Sequence, residues 1–168
     1  MRVIAVCAVL ALAGFVRSQD QAGLVLGFSV GEGEAARADE RLARTVALTV
    51  ADGERPTPFL DAGQFLAEWR GELVLEKRDK IGFAFVGFGR FELMIDGEIW
   101  LACASATGEP VVGEVRRLGK GSHAFQASWA PAHGKPRCMR LEWEGRAFRR
   151  EPIPSHVFRP AALDPKSV

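Results

Sequence analysis

Between Gly23 and Glu144, apolar residues recur at every second position in short runs, each bounded by Gly, Pro, Asp or Ser. Side chains of an extended chain alternate between two faces, so such period-two runs predict strands with one buried face each. Nine candidate strands follow, at residues 23–29, 44–50, 64–75, 80–87, 90–96, 98–104, 111–118, 122–130 and 137–144. The sharpest local signal is Phe91-Glu92-Leu93-Met94-Ile95, then Asp96-Gly97, then Glu98-Ile99-Trp100-Leu101-Ala102. Asp-Gly supplies the positive φ angles that a tight hairpin turn demands. Phe91, Leu93 and Ile95 share one face of their strand, as do Ile81, Phe83 and Phe85, and Met139, Leu141 and Trp143, on theirs. Strands of this kind close over a shared core, so the expected fold class is all-β, an antiparallel β-sandwich.

Three segments depart from the alternation. Residues 31–43 scatter Glu32, Glu34, Arg37, Asp39, Glu40 and Arg41 among alanines with no apolar stripe, which predicts an exposed connection or a short surface helix. Arg55-Pro56-Thr57-Pro58-Phe59 and Glu151-Pro152-Ile153-Pro154 read as stiff extended crossings, because each Pro disfavours helix in the residue before it. The expected domain therefore covers residues 19–160, with 161–168 as a flexible tail.

The chain begins with a charged Met1-Arg2 and a nearly unbroken apolar run from Val3 to Val16, which predicts a signal peptide over residues 1–18. That run is shorter than the ~20 residues of a membrane-spanning helix, so no membrane span is expected after its removal. Export to the periplasm or the extracellular space would discard Cys7 and leave Cys103 and Cys138 in a compartment where disulfides persist. A Cys103–Cys138 disulfide is one expectation; two buried thiols on neighbouring strands is the other.

Composition narrows the chemistry. In 168 residues, 22 Lys and Arg balance 21 Asp and Glu, which leaves no excess of positive charge to hold a nucleic acid. Gly27-Phe28-Ser29-Val30-Gly31 fits the G-x-S-x-G elbow of serine hydrolases, but that elbow needs an α/β sheet, whereas this one opens a β-rich chain. His123, His133 and His156 form no metal-binding pair, so neither metal nor cofactor is expected. Arg137, Arg140, Arg146, Arg149 and Arg150 form a basic cluster that an acidic partner would fit, although the solvent face of a strand reads the same way.

The order of several pieces resembles the protective-antigen-type β-domain of bacterial toxin components, some β-glucosidases and fungal flocculins. The pieces are Gly23-Leu24, Trp69-Arg70-Gly71, Ile81-Gly82-Phe83-Ala84-Phe85, Leu93-Met94-Ile95-Asp96-Gly97, Leu118-Gly119-Lys120-Gly121-Ser122-His123, Met139-Arg140-Leu141-Glu142-Trp143 and Ile153-Pro154 before Val157-Phe158. Thr57-Pro58-Phe59-Leu60 is similar to the variant attached to c-type cytochrome regions in exported bacterial proteins. The resemblance implies a secreted, non-catalytic β-sandwich that binds carbohydrate. The alternative it implies is a protein–protein interaction or scaffold subunit of an exported complex, beside a c-type cytochrome. In sugar-binding members an aspartate pair ahead of the hairpin holds Ca²⁺. Val86-Gly87-Phe88-Gly89-Arg90 stands there in this chain, with no acid. The ligand-binding candidates are Arg90 in that stretch, Asp96 at the turn, and Trp100 beside the hairpin tip, where an exposed ring would stack on a sugar.

Overall fold

The computed structural model describes residues 22–31 and 37–161. The signal segment 1–18 and positions 162–168 of the expected tail lie outside the described residues. The alternating runs form strands β1 (Leu24–Val30), β2 (Arg37–Ala43), β3 (Ala47–Val50), β4 (Leu66–Leu75), β5 (Asp79–Gly87), β6 (Gly89–Ile95) and β7 (Glu98–Ser105). They continue as β8 (Val111–Val112), β9 (Arg116–Leu118), β10 (Gly121–Ala130), β11 (Arg137–Glu144), β12 (Glu151–Pro152) and β13 (Phe158–Pro160). A larger sheet has the order β2-β1-β4-β10-β6-β7, with β13 also on β4. A smaller one has the order β12-β11-β5-β8, with β3 on β11 and β9 on β5. Every pairing is antiparallel.

The inner faces are those the alternation marks. Phe91, Leu93 and Ile95 of the larger sheet, with Trp69, Phe125 and Trp129, bury against Ile81, Phe83, Phe85, Met139, Leu141 and Trp143 of the smaller one. Phe85 stacks on Phe91 across the two sheets, with ring centres 4.7 Å apart and planes 16° from parallel. Rings of this kind dominate the buried area of a domain this size. Between β5 and β6 the chain passes from the smaller to the larger sheet across one residue, Phe88. Gly87 and Gly89 flank it with φ of 157° and 117°. Cβ atoms there would meet the Cys138 carbonyl oxygen at 2.6 Å and the Ala130 carbonyl oxygen at 2.2 Å. Trp129 Nε1 donates to the Phe88 carbonyl at 2.9 Å, which ties β10 to the crossing.

Three expectations are corrected. Arg37–Ala43 is neither a loop nor a helix but β2, paired along the whole of β1 from Leu24↔Ala43 to Val30↔Arg37. As an edge strand it buries little, so charge costs it little and no apolar stripe betrays it. The run 111–118 divides into two short strands, both on β5. Cys103 and Cys138 are free thiols. Cys103 lies on β7 of the larger sheet, opposite Phe91, whereas Cys138 lies on β11 of the smaller sheet, opposite Thr49. Cys138 alternates with the buried Met139 and so points away from the core, out of reach of a partner in the facing sheet about 10 Å away. Burial raises the pKa of the Cys103 thiol.

The hairpin turn forms as expected, with φ of 53° at Asp96 and 79° at Gly97. Asp96 does more than turn. Its Oδ1 accepts from the Ala124 N–H at 2.8 Å and its Oδ2 meets His123 Nδ1 at 2.7 Å, while His123 Nε2 meets the Gly119 carbonyl at 3.1 Å. The His123 hydrogen bond, foremost, holds the Asp96 carboxyl below its usual value, against a smaller opposing effect of burial.

Two predictions follow from these contacts. Gly89→Ala should lose about 3 kcal/mol or more in chemical denaturation, because the added methyl meets backbone. Gly97→Ala, where nothing lies within 4 Å of a Cβ, should lose only about 1 kcal/mol from its positive φ. Equal losses would contradict the packing at the crossing. Asn tolerates the turn conformation, so Asp96→Asn keeps the turn but removes the charge and one of the two acceptors that Ala124 and His123 use. A lowered folded pKa means that the carboxylate's contribution is complete above its unfolded value and is lost as pH falls through the folded one. The stability gap between the native chain and Asp96→Asn should therefore be full at about pH 5 and close towards about pH 2. A gap that widens on acidification would refute the assignment.

Candidate functional site

Five strands of the larger sheet end together on the side where the chain crosses between sheets. β1 and β7 finish there, β10 runs out into Pro131, and β4 and β6 begin there. The ends frame a cleft of about 670 Å³ whose polar groups are Ser29, Gln64, Arg90 and Ser105. Its apolar lining comes from Leu66, Ala104, Ala130 and Pro131, with Phe65 beneath. Pairing explains the convergence. Ser29 stands opposite Leu66 on β4, and Arg90 lies between Ala130 on β10 and Ala104 on β7. These small neighbours leave the Arg90 side chain uncrowded on the outer face of the sheet. Gly89, beside it, lets the β10 backbone approach closely, which sets the cleft wall.

The Arg90 side chain is exposed and, among the described residues, has no hydrogen-bond or ion-pair partner. It also borders a smaller groove of about 280 Å³ that runs along the same outer face past Glu92, Ala102 and Ser128. A guanidinium offers five donors and no acceptor, a set suited to hydroxyl, carbonyl or anionic oxygens. Ser29 and Ser105 add hydroxyls and Gln64 a primary amide.

The structure does not bring the three candidate residues together. Arg90 stands at the cleft, whereas Asp96 lies six residues along β6, about 20 Å away at the rise of an extended strand. Both oxygens of Asp96 are already engaged by Ala124 and His123. Trp100 is no stacking platform: it is only 7% exposed. The β6–β7 register shifts between Leu93 and Met94, so that Leu101 and Ile99 have partners and Trp100 has none. This bulge turns the indole inward, where its ring meets Phe83 edge-on at 5.7 Å. Arg116 covers the other side, 5.6 Å from the ring centre, and donates to the Ile99 carbonyl at 2.9 Å.

Ser29 sits within β1, paired to Ala38 and Leu66, not on a strand-to-helix turn. Among the described residues neither histidine nor carboxylate lines the cleft beside it, so none of them serves as a base to activate the hydroxyl. The described lining does not suit calcium either. A hard divalent cation takes six to eight oxygens, usually with carboxylates among them. The described lining has none and carries the fixed positive charge of Arg90. Sequence reasoning found Arg90 but missed Ser29 as a lining group, Gln64 and Ser105. The glycines around Phe88 were the available signal, since they marked where the chain had to turn.

No protein-family model and no curated protein matches the sequence. Solved structures do. An anti-sigma factor domain-containing protein from Clostridium clariflavum superposes with a TM-score of 0.70 at 18% identity, over 83% of this chain and 48% of that one. The chain thus spans about half the length of that protein. The PA14 sugar-binding domain from an RTX adhesin superposes with a TM-score of 0.68 at 14% identity, over 83% of this chain and 98% of the domain. The PA14 domain of the MpAFP antifreeze protein gives 0.69 at 12% identity, over 86% and 94%. With both sheets and nearly the whole of two isolated domains matched, the chain has the fold of a protective-antigen-type (PA14) β-sandwich.

Proposed function

We propose that this chain is an exported, non-catalytic carbohydrate-binding module whose sugar site is the cleft at Arg90, and that it works without calcium. The observation that carries the reading is the position of the cleft. It opens at Gly89 and Arg90, the stretch just ahead of the hairpin where sugar-binding members of the resembling family hold their ligand through a metal. Here the positive charge of Arg90 takes the place of the cation. It donates directly to sugar hydroxyls, with Ser29, Ser105 and Gln64 completing the polar set. A cleft of about 670 Å³ suits one or two sugar units. One of the similar structures is itself titled a sugar-binding domain, which supports the same reading. Export rests on the apolar run after Arg2, and no described helix is long and apolar enough to cross a membrane.

A glycan array probed with purified chain, with and without EDTA, tests the proposal. Binding to a defined glycan should survive EDTA, and Arg90→Ala should weaken it by about tenfold or more while leaving the thermal midpoint unchanged. Loss of binding in EDTA would refute the calcium-free site, and no binding to any glycan would refute the module. Stoichiometric protein partners recovered with the native chain would then favour the scaffold alternative. Mass spectrometry of the exported protein should place the mature N-terminus at about Gln19. An N-terminus at Met1 would contradict export through this signal.

A further inference from the structure

The geometry points to a second binding site, for the anionic groups of an acidic polysaccharide, at the end of the smaller sheet remote from the crossing. It rests on reading the chain as a carbohydrate-binding module and lies outside the cleft. Arg78 just ahead of β5, Lys80 on β5, Arg117 on β9 and Arg146 after β11 line one concavity of about 150 Å³. Four cations share it with a single acid, Asp79, whose Oδ1 is taken by the Lys80 backbone N–H at 2.7 Å. Lys80 and Arg117 are direct partners across the β5–β9 pair. Like charges placed directly opposite destabilise a sheet. Among the described residues, none of the four side chains has a hydrogen-bond or ion-pair partner that would relieve this repulsion. A bound anion would relieve it.

The other arginines of the C-terminal run behave differently. Arg137 donates to the carbonyls of Glu54 and Gly63, Arg140 pairs with Glu142 at 2.7 Å, and Arg150 pairs with Glu144 at 3.4 Å. The fold therefore divides the basic cluster read from the sequence. It leaves Arg146 and Arg149 without such partners and sets Arg146 beside cations that lie far away in the chain.

The neighbouring surface identifies the ligand class. A second hollow of about 370 Å³ shares Lys80 and Arg146 with the first and adds Arg149, Val115, Phe148 and the Arg150–Glu144 ion pair. Phe148 is half-buried, tilted against Trp143 at 4.8 Å, and Val115 is 54% exposed. Gly145 lets the ring lie against its loop, since a Cβ there would come within 2.4 Å of it. Planar guanidinium forks match carboxylate and sulfate groups, and an aromatic ring with a valine offers an apolar surface to a pyranose. Two hollows sharing two cations fit successive residues of a linear chain better than one free ion.

The test measures binding of the full chain to polygalacturonate and dextran sulfate, with neutral dextran, polyglutamate and inorganic sulfate as comparisons, at about 50 and 150 mM salt. Both acidic polysaccharides should bind, more weakly at the higher salt, and neutral dextran should not. The double variant Arg117→Ala/Arg146→Ala should weaken binding by about tenfold or more, with an unchanged thermal midpoint. Arg140→Ala, whose side chain is already paired, should stay within about twofold. Wild-type affinity in the double variant would overturn the site. Polyglutamate binding more tightly than either polysaccharide would overturn the ligand class, and inorganic sulfate binding as well as the polymers would reduce the site to one for small anions. Loss of polymer binding in Arg90→Ala, with the double variant unaffected, would move acid recognition to the cleft and overturn this inference while leaving the cleft's own assignment standing.

Discussion

The one-residue passage from β5 to β6 through Phe88, the tightest of the connections between the sheets, is the constraint on which the rest of the fold depends. A sandwich needs its two layers at a fixed separation and angle, and a one-residue connection leaves almost no freedom in either. The flanking glycines permit it because backbone fills the space where their side chains would be. Once the crossing is made, Phe85 on one side of it and Phe91 on the other are brought face to face, and their stack joins the two layers of the core. The Trp129 indole fastens the central strand of the larger sheet to the same point.

Both proposed sites lie at the ends of β5 in consequence. At its C-terminal end, the crossing lets several strands of the larger sheet start or stop together, which leaves a cleft bordered by small residues and by an arginine that no described side chain pairs. At its N-terminal end, β9 sets Arg117 against Lys80 and concentrates positive charge on a chain whose total charge is close to zero. Net charge excludes a partner that needs an even positive field. It says nothing about a local one, because opposite charges elsewhere cancel in the sum but not in the pocket.

Much of the architecture was legible in the chain. The alternating runs at Ile81–Phe85, Phe91–Ile95 and Met139–Trp143 specify buried faces through the two-residue period, and Asp96-Gly97 specifies its turn through the φ values it tolerates. What stayed hidden depends on pairing between distant segments. β2 has no apolar stripe because an edge strand need not bury one. Trp100 follows the surface side of its alternation until a bulge reverses it, and a bulge is a property of two strands, not of one. The fate of the cysteines turned on which sheet each strand joined. The cleft was half legible: Arg90 stood out beside its glycines, but Ser29, Gln64 and Ser105 meet it only once the strands are in register. The basic corner was misdrawn for the same reason, since neighbours in sequence found partners and residues far apart did not.

The end of the larger sheet at the β5–β6 crossing is proposed to bind sugar through protein groups alone. Amide chemical-shift mapping of the isotope-labelled chain in EDTA, titrated with a soluble glycan that it binds, addresses this directly. Shifts should be confined to the backbone around Ser29, Gln64, Arg90, Ser105 and Ala132. Shifts centred instead on the Asp96–Trp100 hairpin, or abolished by EDTA, would contradict the proposal.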